Sequence, residues 1–186
     1  MKLSALICAI MVSSTSAAVP DEFPYFEINL DLAPNMRFFE ISQHFSEGIV
    51  LTLNSFLEEY YYPAMAVLFI WDKIYWILEI SQPERYQELE GIVAGVNSPD
   101  LDMPRAVLLN QVYELGAWCT SIVAKQADGT IIHSRNLDYN HAADEMRNIT
   151  YRAKFIQNGK YSFDAVMFAG TLGVYTGMKD GGFSIS

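Results

Sequence analysis

At Cys119 the spacing of apolar residues changes. Before it they recur at three- and four-residue steps, the period of helices buried along one face. After it they alternate, or run in short β-branched stretches bounded by turn residues. Phe45, Ile49, Leu53, Phe56 and Tyr60 mark one helix face that begins near Ser42 and is broken by Pro63. Tyr86, Leu89, Val93 and Val96 mark another, with Ser81 and Glu84 spaced as a capping box, Pro83 in the first turn and Asn97-Ser98-Pro99 as the stop. Asp102 is placed to cap a third, with Val107, Leu108, Val112 and Leu115 inward and Gly116 at its end. Upstream, residues 26–32 alternate as an edge strand closed by Pro34. Downstream, 120–124, 131–137, 150–157, 161–168, 174–176 and 183–186 read as strands, and 141–147 as a polar loop. The chain is expected to be α+β, mainly helical before residue 119 and mainly β after it.

Asp128-Gly129 and Asn158-Gly159 are hairpin turn pairs. With Asp128 and Gly129 as two central turn residues, Ala127 faces Thr130 and Cys119 faces Asp138, so a thiol and a carboxylate meet at the mouth of the hairpin. Arg135 and Asp138 are three apart, which sends them to opposite faces of a regular strand. A bulge, or an end to the strand near Asn136, is needed to bring both to one site. On these residues alone Cys119 is either a small buried hydrophobe beside Trp118 or a reactive thiol, and Arg135 with Asp138 is either a structural ion pair or part of a site.

Met1-Lys2, an apolar core at 3–12 and small residues at 13–18 form a secretory signal peptide with a mature start near Val19. The core is too short to span a bilayer. Of the two cysteines, Cys8 leaves with it, so Cys119 has no partner for an internal disulfide and is a candidate reactive thiol in an oxidising compartment. Secretion gives meaning to the sequon Asn148-Ile149-Thr150 and makes Asn148 a glycosylation site. The net charge of −10 argues against nucleic acid as a partner. His44, His133 and His141 lack metal-ligand spacing, so no metal and no cofactor is expected. Residues 64–80 are apolar nearly all round, interrupted by Asp72, Lys73 and Glu79. Charges at the middle exclude a transmembrane span. The stretch is either a buried core helix or a surface that meets lipid, for which Phe69, Trp71, Tyr75 and Trp76 are suited.

Three blocks carry a resemblance. Cys119-Thr-Ser-Ile-Val-Ala, then Gly129, then His133-Ser-Arg-Asn-Leu-Asp138-Tyr139 resembles the cleavage and nucleophile region of the acid ceramidase and N-acylethanolamine-hydrolysing acid amidase family, within the N-terminal nucleophile hydrolases. Residues 28–34 (Ile-Asn-Leu-Asp-Leu-Ala-Pro) resemble the opening of the family's mature chain. Phe168-Ala-Gly170 through Gly173-Val-Tyr-Thr-Gly-Met178 resembles its later strand pair.

The resemblance implies an αββα sandwich, with 19–118 as a helical α-subunit region and 119–186 as the start of the β-subunit domain. It implies self-cleavage between Trp118 and Cys119 and an α/β heterodimer. Cys119 would serve as nucleophile and, through its α-amine, as base, while Arg135 and Asp138 align and polarise it. The implied substrates are lipid amides, N-acylethanolamines or else ceramide, met at a membrane surface through the apolar N-terminal helices in the lysosome or outside the cell. Acid ceramidases join their subunits by a disulfide for which this chain has no mature cysteine before Cys119, which favours the acylethanolamine branch. The family's downstream glutamate and asparagine are absent from these 186 residues, so the chain is expected to be truncated and the domain incomplete. The competing readings are an inactive fragment or lipid-binding relative, and a Cys–His protease using His133, which the hairpin sets opposite Ala124, away from the thiol.

Overall fold

The computed structural model describes residues 23–59, 61–111, 117–139 and 142–186. The expected signal peptide, Tyr60, Val112, Leu115, Gly116 and His141 lie outside them. Strand β1 (Tyr25–Asn29) is followed by helices α1 (Pro34–Arg37), α2 (Phe39–His44), α3 (Ser46–Glu59), α4 (Tyr61–Ile74), α5 (Ile77–Ser81), α6 (Pro83–Val96) and α7 (Met103–Leu109). Then come β2 (Ala117–Lys125), β3 (Ile131–Tyr139), the short helix α8 (Ala143–Asn148), β4 (Thr150–Gln157), β5 (Lys160–Phe168), β6 (Thr176–Lys179) and β7 (Phe183–Ile185). The fold is α+β with a mixed five-stranded sheet, order β1-β4-β5-β6-β7, and a separate β2-β3 hairpin.

β1 is an edge strand parallel to β4, and the other pairings are antiparallel. Alternation along the strands divides the sheet into two faces. Ile28, Tyr151, Ala153, Phe155, Ala165 and Met167 are buried on one, against Phe45, Ile49, Leu53, Phe56, Leu89, Ile92 and Val107 from the helices. The α3 periodicity is therefore the reason one face of the sheet is dry. Tyr25, Arg152, Asp164, Val166 and Met178 belong to the other face and line a cavity of about 860 Å³ shared with the hairpin.

Several local expectations change. The Ser81–Glu84 capping box does not form: the Ser81 hydroxyl donates back to Ile77 O at 2.8 Å within α5, and Gln82 caps α6 without a side-chain bond. Glu84 instead meets Arg37 at 2.5 Å. Pro63 lies within α4, which is described from Tyr61 onward, so the described chain is helical through the proline that was expected to break the helix. The 64–80 stretch is two helices rather than one, and most of it is not core. Leu68 is 9% exposed, but Phe69 is 69% and Ile80 76%, with Met65, Ile70, Trp76 and Ile77 also exposed. Residues 143–148 form α8 where a loop was expected, because Met146 is buried in the core. Among the described residues no helix is long and apolar enough to cross a membrane. Asp102 does cap α7, accepting from Arg105 N at 3.0 Å, and Asn97 ends α6 in a left-handed conformation.

The 28–34 block acts as a clasp. Asn29 Oδ1 accepts Asp31 N–H, and the two Asp31 carboxylate oxygens accept Asn158 and Gly159 N–H at 2.7 Å each. Arg37 donates to Leu30 O and Leu32 O while reaching Glu84 and Glu88 on α6. Gly91 lets α6 approach closely, since a Cβ there would lie 2.1 Å from Asn35 O. The Asn158 and Gly159 donors hold the Asp31 carboxyl below the usual carboxylate range. Its folded value lies below its unfolded one, so the contribution is complete above the ordinary range and disappears only as pH falls through the depressed folded value. Asp31→Ala is expected to speed hydrogen exchange at the 158 and 159 amides in mildly acid buffer, with the difference vanishing in strong acid. Equal protection in mildly acid buffer would leave the clasp without a role.

Candidate active site

The hairpin that carries Cys119 closes differently from a two-residue turn. Gly129 N–H bonds to Gln126 O at 3.0 Å and Gln126 N–H to Thr130 O at 2.8 Å, giving a three-residue loop. A type I′ pair needs positive φ at both central residues. Asn158 (φ 54) and Gly159 (φ 65) satisfy that; in the other turn the positive φ falls on Gly129 (φ 92) and not on Asp128. Asp128 instead accepts Thr130 N–H at 2.9 Å.

The extra loop residue shifts the ladder by one. Cys119 faces Leu137, Trp118 faces Asp138 and Ser121 faces Arg135. A one-residue shift exchanges the faces of a strand relative to its partner. Arg135 is thereby moved from opposite Ile122 to the Cys119 side, diagonal to the thiol. The expected Cys119–Asp138 pairing is replaced by Trp118–Asp138. The ladder runs without a bulge from Lys125/Ile131 to Ala117/Tyr139, so β3 does not end near Asn136. The side chains of Trp118 and Asp138 lie outside the described residues.

Arg135 is half-buried and held from the main sheet. Its Nη1 donates to Tyr175 O and, at 2.7 Å, to Thr176 Oγ1; its Nη2 donates to Cys119 Sγ at 3.3 Å. Arginine stays charged at any physiological pH, and a cation at this distance favours thiolate over thiol. Cys119 is exposed. An accessible sulfur beside a fixed guanidinium is equipped to attack a carbonyl carbon.

His133 pairs with Val123 rather than Ala124. Its Nδ1 lies 2.7 Å from Ser184 Oγ, and its Nε2 lies 2.8 Å from Ser121 Oγ and 3.0 Å from Ser186 Oγ. The imidazole thus joins the hairpin to β7. Arg135, Leu137 and His133 all line the cavity beneath the hairpin, with Thr176, Met178 and Ile185 across from them. Asn148 is exposed at the end of α8, while Ile149 and Thr150 are buried.

Tyr175 and Thr176 were not assigned a site role from sequence, although they fall in the third resembling block. The signal was the block itself; nothing in its residue types foretells that its backbone and hydroxyl anchor an arginine 40 residues upstream.

No protein-family model matches the chain. N-acylethanolamine-hydrolyzing acid amidase of Rattus norvegicus is 33% identical over 182 residues, covering 91% of this chain and 46% of the relative. The protein of the same name in Caenorhabditis elegans is 31% identical over 174 residues, covering 87% and 46%. Acid ceramidase of Bos taurus is 29% identical over 178 residues, covering 88% and 44%. The chain spans about half the length of the curated relatives it matches, and along nearly all of its own length it belongs to the family of these acid amidases and acid ceramidases.

Proposed function

We propose that the full-length protein carrying this chain is a lipid amidase working from an N-terminal cysteine. The protein cuts its own Trp118–Cys119 bond, giving two associated subunits. The Cys119 thiol then gives up its proton to the new α-amine and attacks the carbonyl carbon of a fatty-acid amide. The C–N bond breaks as the nitrogen takes the proton, the acyl group stays on sulfur as a thioester, and water releases it as the fatty acid. Arg135 holds the sulfur as thiolate. The orienting role that the resemblance implies for Asp138 is not carried into this mechanism, because the unbroken ladder pairs it with Trp118 and places position 138 on the strand face opposite position 135. The observation that carries this reading is the Arg135 guanidinium, anchored on Tyr175 O and Thr176 Oγ1 and directed at Cys119 Sγ.

The preferred amides are N-acylethanolamines, after the names of the relatives at 31–33% identity. Ceramide is the second reading, favoured by the acid ceramidases that match at 29–30%. The proposed fold of the full-length protein is an αββα sandwich, a reading with which the helical layer, the mixed sheet and the hairpin are compatible. The compartment is lysosomal or extracellular, reached through the signal segment at 1–18, with a glycan on Asn148. Purified full-length protein given palmitoylethanolamide and ceramide in acid and neutral buffer is expected to turn over the first faster. Turnover of neither overturns the reading.

Substrates of this kind sit in bilayers, and the exposed apolar side chains of α4 and α5 form the surface that meets them. Phe69 and Ile80 stand furthest out. Replacing both with serine is expected to weaken sedimentation with phosphatidylcholine vesicles about tenfold or more, given ~1.5–3 kcal/mol for each large side chain fully buried in an apolar phase. Unchanged sedimentation would move the lipid contact elsewhere.

A further inference from the structure

Arg135 can serve the thiol only if its own anchor is fixed, and that anchor lies in the connection between β5 and β6. The connection is tightly built. Gly170 has φ 84, and a Cβ there would lie 3.0 Å from Ile49 and Leu109 side-chain atoms. Thr171 is buried and bonds back to Phe168 O through both N–H and hydroxyl. Gly173 leaves room for the Tyr175 ring, which a Cβ would approach to 2.5 Å. Tyr175 O and Thr176 Oγ1 then present themselves to Arg135.

The residue that ties this connection to the helical layer is Asn110, at the end of α7. It is only 8% exposed. Its Nδ2 donates to Ala106 O at 2.9 Å and to Gly170 O at 3.0 Å, and its Oδ1 accepts Leu172 N–H at 2.8 Å. Both amide donors and the acceptor are used, which fixes the side chain's rotamer and its amide orientation. Asn110 therefore grips the connection on both sides of Thr171, at Gly170 and at Leu172, the latter three and four residues before the two groups that hold Arg135. It also stands upstream of the Trp118–Cys119 bond, so after cleavage its bonds to 170 and 172 would run from one subunit to the other.

We propose that Asn110 is a positioning residue for Arg135, acting through the 169–175 connection and hence on Cys119. Its meaning for catalysis rests on the amidase reading above; the geometric inference does not. The path is a contiguous run of hydrogen bonds and close contacts: Asn110 to Gly170 and Leu172, Gly173 against Tyr175, Tyr175 and Thr176 to Arg135, Arg135 to Sγ. Loss of the amide lets the connection drift, and the guanidinium moves with it.

The test reads the thiol directly. Full-length protein is treated with iodoacetamide over a range of pH, and alkylation of Cys119 is followed by peptide mass spectrometry. Asn110→Ala is expected to slow alkylation about 3- to 10-fold and to move its pH midpoint upward, as a coupled neighbour does. Arg135→Ala does the same more strongly. Adding Asn110→Ala to Arg135→Ala changes nothing further, because the route through Arg135 is already gone. Asn110→Ser, which keeps a hydroxyl able to bond one neighbour but is too short to hold Gly170 O and Leu172 N–H together, falls between wild type and Asn110→Ala and serves the same comparison should the alanine variant fold poorly. Wild-type alkylation in whichever Asn110 variant folds, or its full effect persisting in the Arg135→Ala background, overturns the proposal. Because alkylation needs no turnover, a protein that hydrolyses no lipid amide would sink the amidase reading and leave this result standing or falling separately.

Discussion

Cys119→Ala is expected to leave the full-length protein as one uncut chain and to remove its amide hydrolysis. Both effects follow from the proposed mechanism, in which cleavage of the Trp118–Cys119 bond and attack on substrate each draw on the Cys119 sulfur. A thiol with pKa about 8.5 and an α-amine near 8 are both almost fully protonated in mild acid. On the proposed mechanism, activity in mild acid asks nearby positive charge to favour the neutral amine and the thiolate. Arg135, 3.3 Å from the sulfur, is one such charge. An alanine offers neither a nucleophile nor an acceptor for that guanidinium, and loss of a nucleophile typically removes roughly 10⁴-fold or more of the rate. Mass spectrometry of purified wild-type protein is expected to find a piece beginning at Cys119, and of the variant a single chain. Cleavage of the variant at that same bond would assign it to an outside protease. Wild-type hydrolysis by the variant would assign the chemistry to another residue.

What was legible in the sequence was what depends on near neighbours. The 150–157 strand, its Asn158-Gly159 turn and the Phe45–Ile49–Leu53–Phe56 face come from two- and three- to four-residue periods, which a linear reading detects. The Cys119 hairpin was found but its register was off by one. Asp-Gly supports both a two- and a three-residue loop, and the choice turns on whether Asp128 adopts positive φ. That one residue decides whether Arg135 shares the face of Cys119. The capping box failed because Ser81 had a nearer acceptor in Ile77 O, and Glu84 a stronger partner in Arg37. Residues 64–80 are apolar in composition, but composition does not say whether a partner surface exists to cover them. The anchors of Arg135, and Asn110 behind them, join positions 40 to 62 residues apart. No local pattern encodes such pairs, and only the resembling block at 168–178 hinted at them.

Arg135 is where register and long-range anchoring converge, and Arg135→Ala is expected to lower kcat roughly 10²- to 10³-fold, the usual cost of removing a group that orients or electrostatically supports the reacting atoms. KM is expected to change much less, because the side chain acts on the nucleophile. Arg135→Lys separates charge from geometry. An ammonium keeps the positive charge, but it lacks the planar fork that lets one nitrogen bind Tyr175 O and Thr176 Oγ1 while the other reaches Sγ. Lysine is therefore expected to recover only part of the loss, remaining about tenfold or more below wild type. Thr176→Val removes one anchor and leaves Tyr175 O and the guanidinium, so it should cost less than Arg135→Ala in the same direction. The measurement is kcat and KM on palmitoylethanolamide for protein of matched near-ultraviolet circular dichroism, which excludes a simple loss of fold. Wild-type kcat in Arg135→Ala would make the arginine a strut between hairpin and sheet. Full rescue by lysine would show that charge alone, and not the aim given by Tyr175 and Thr176, is what the sulfur requires.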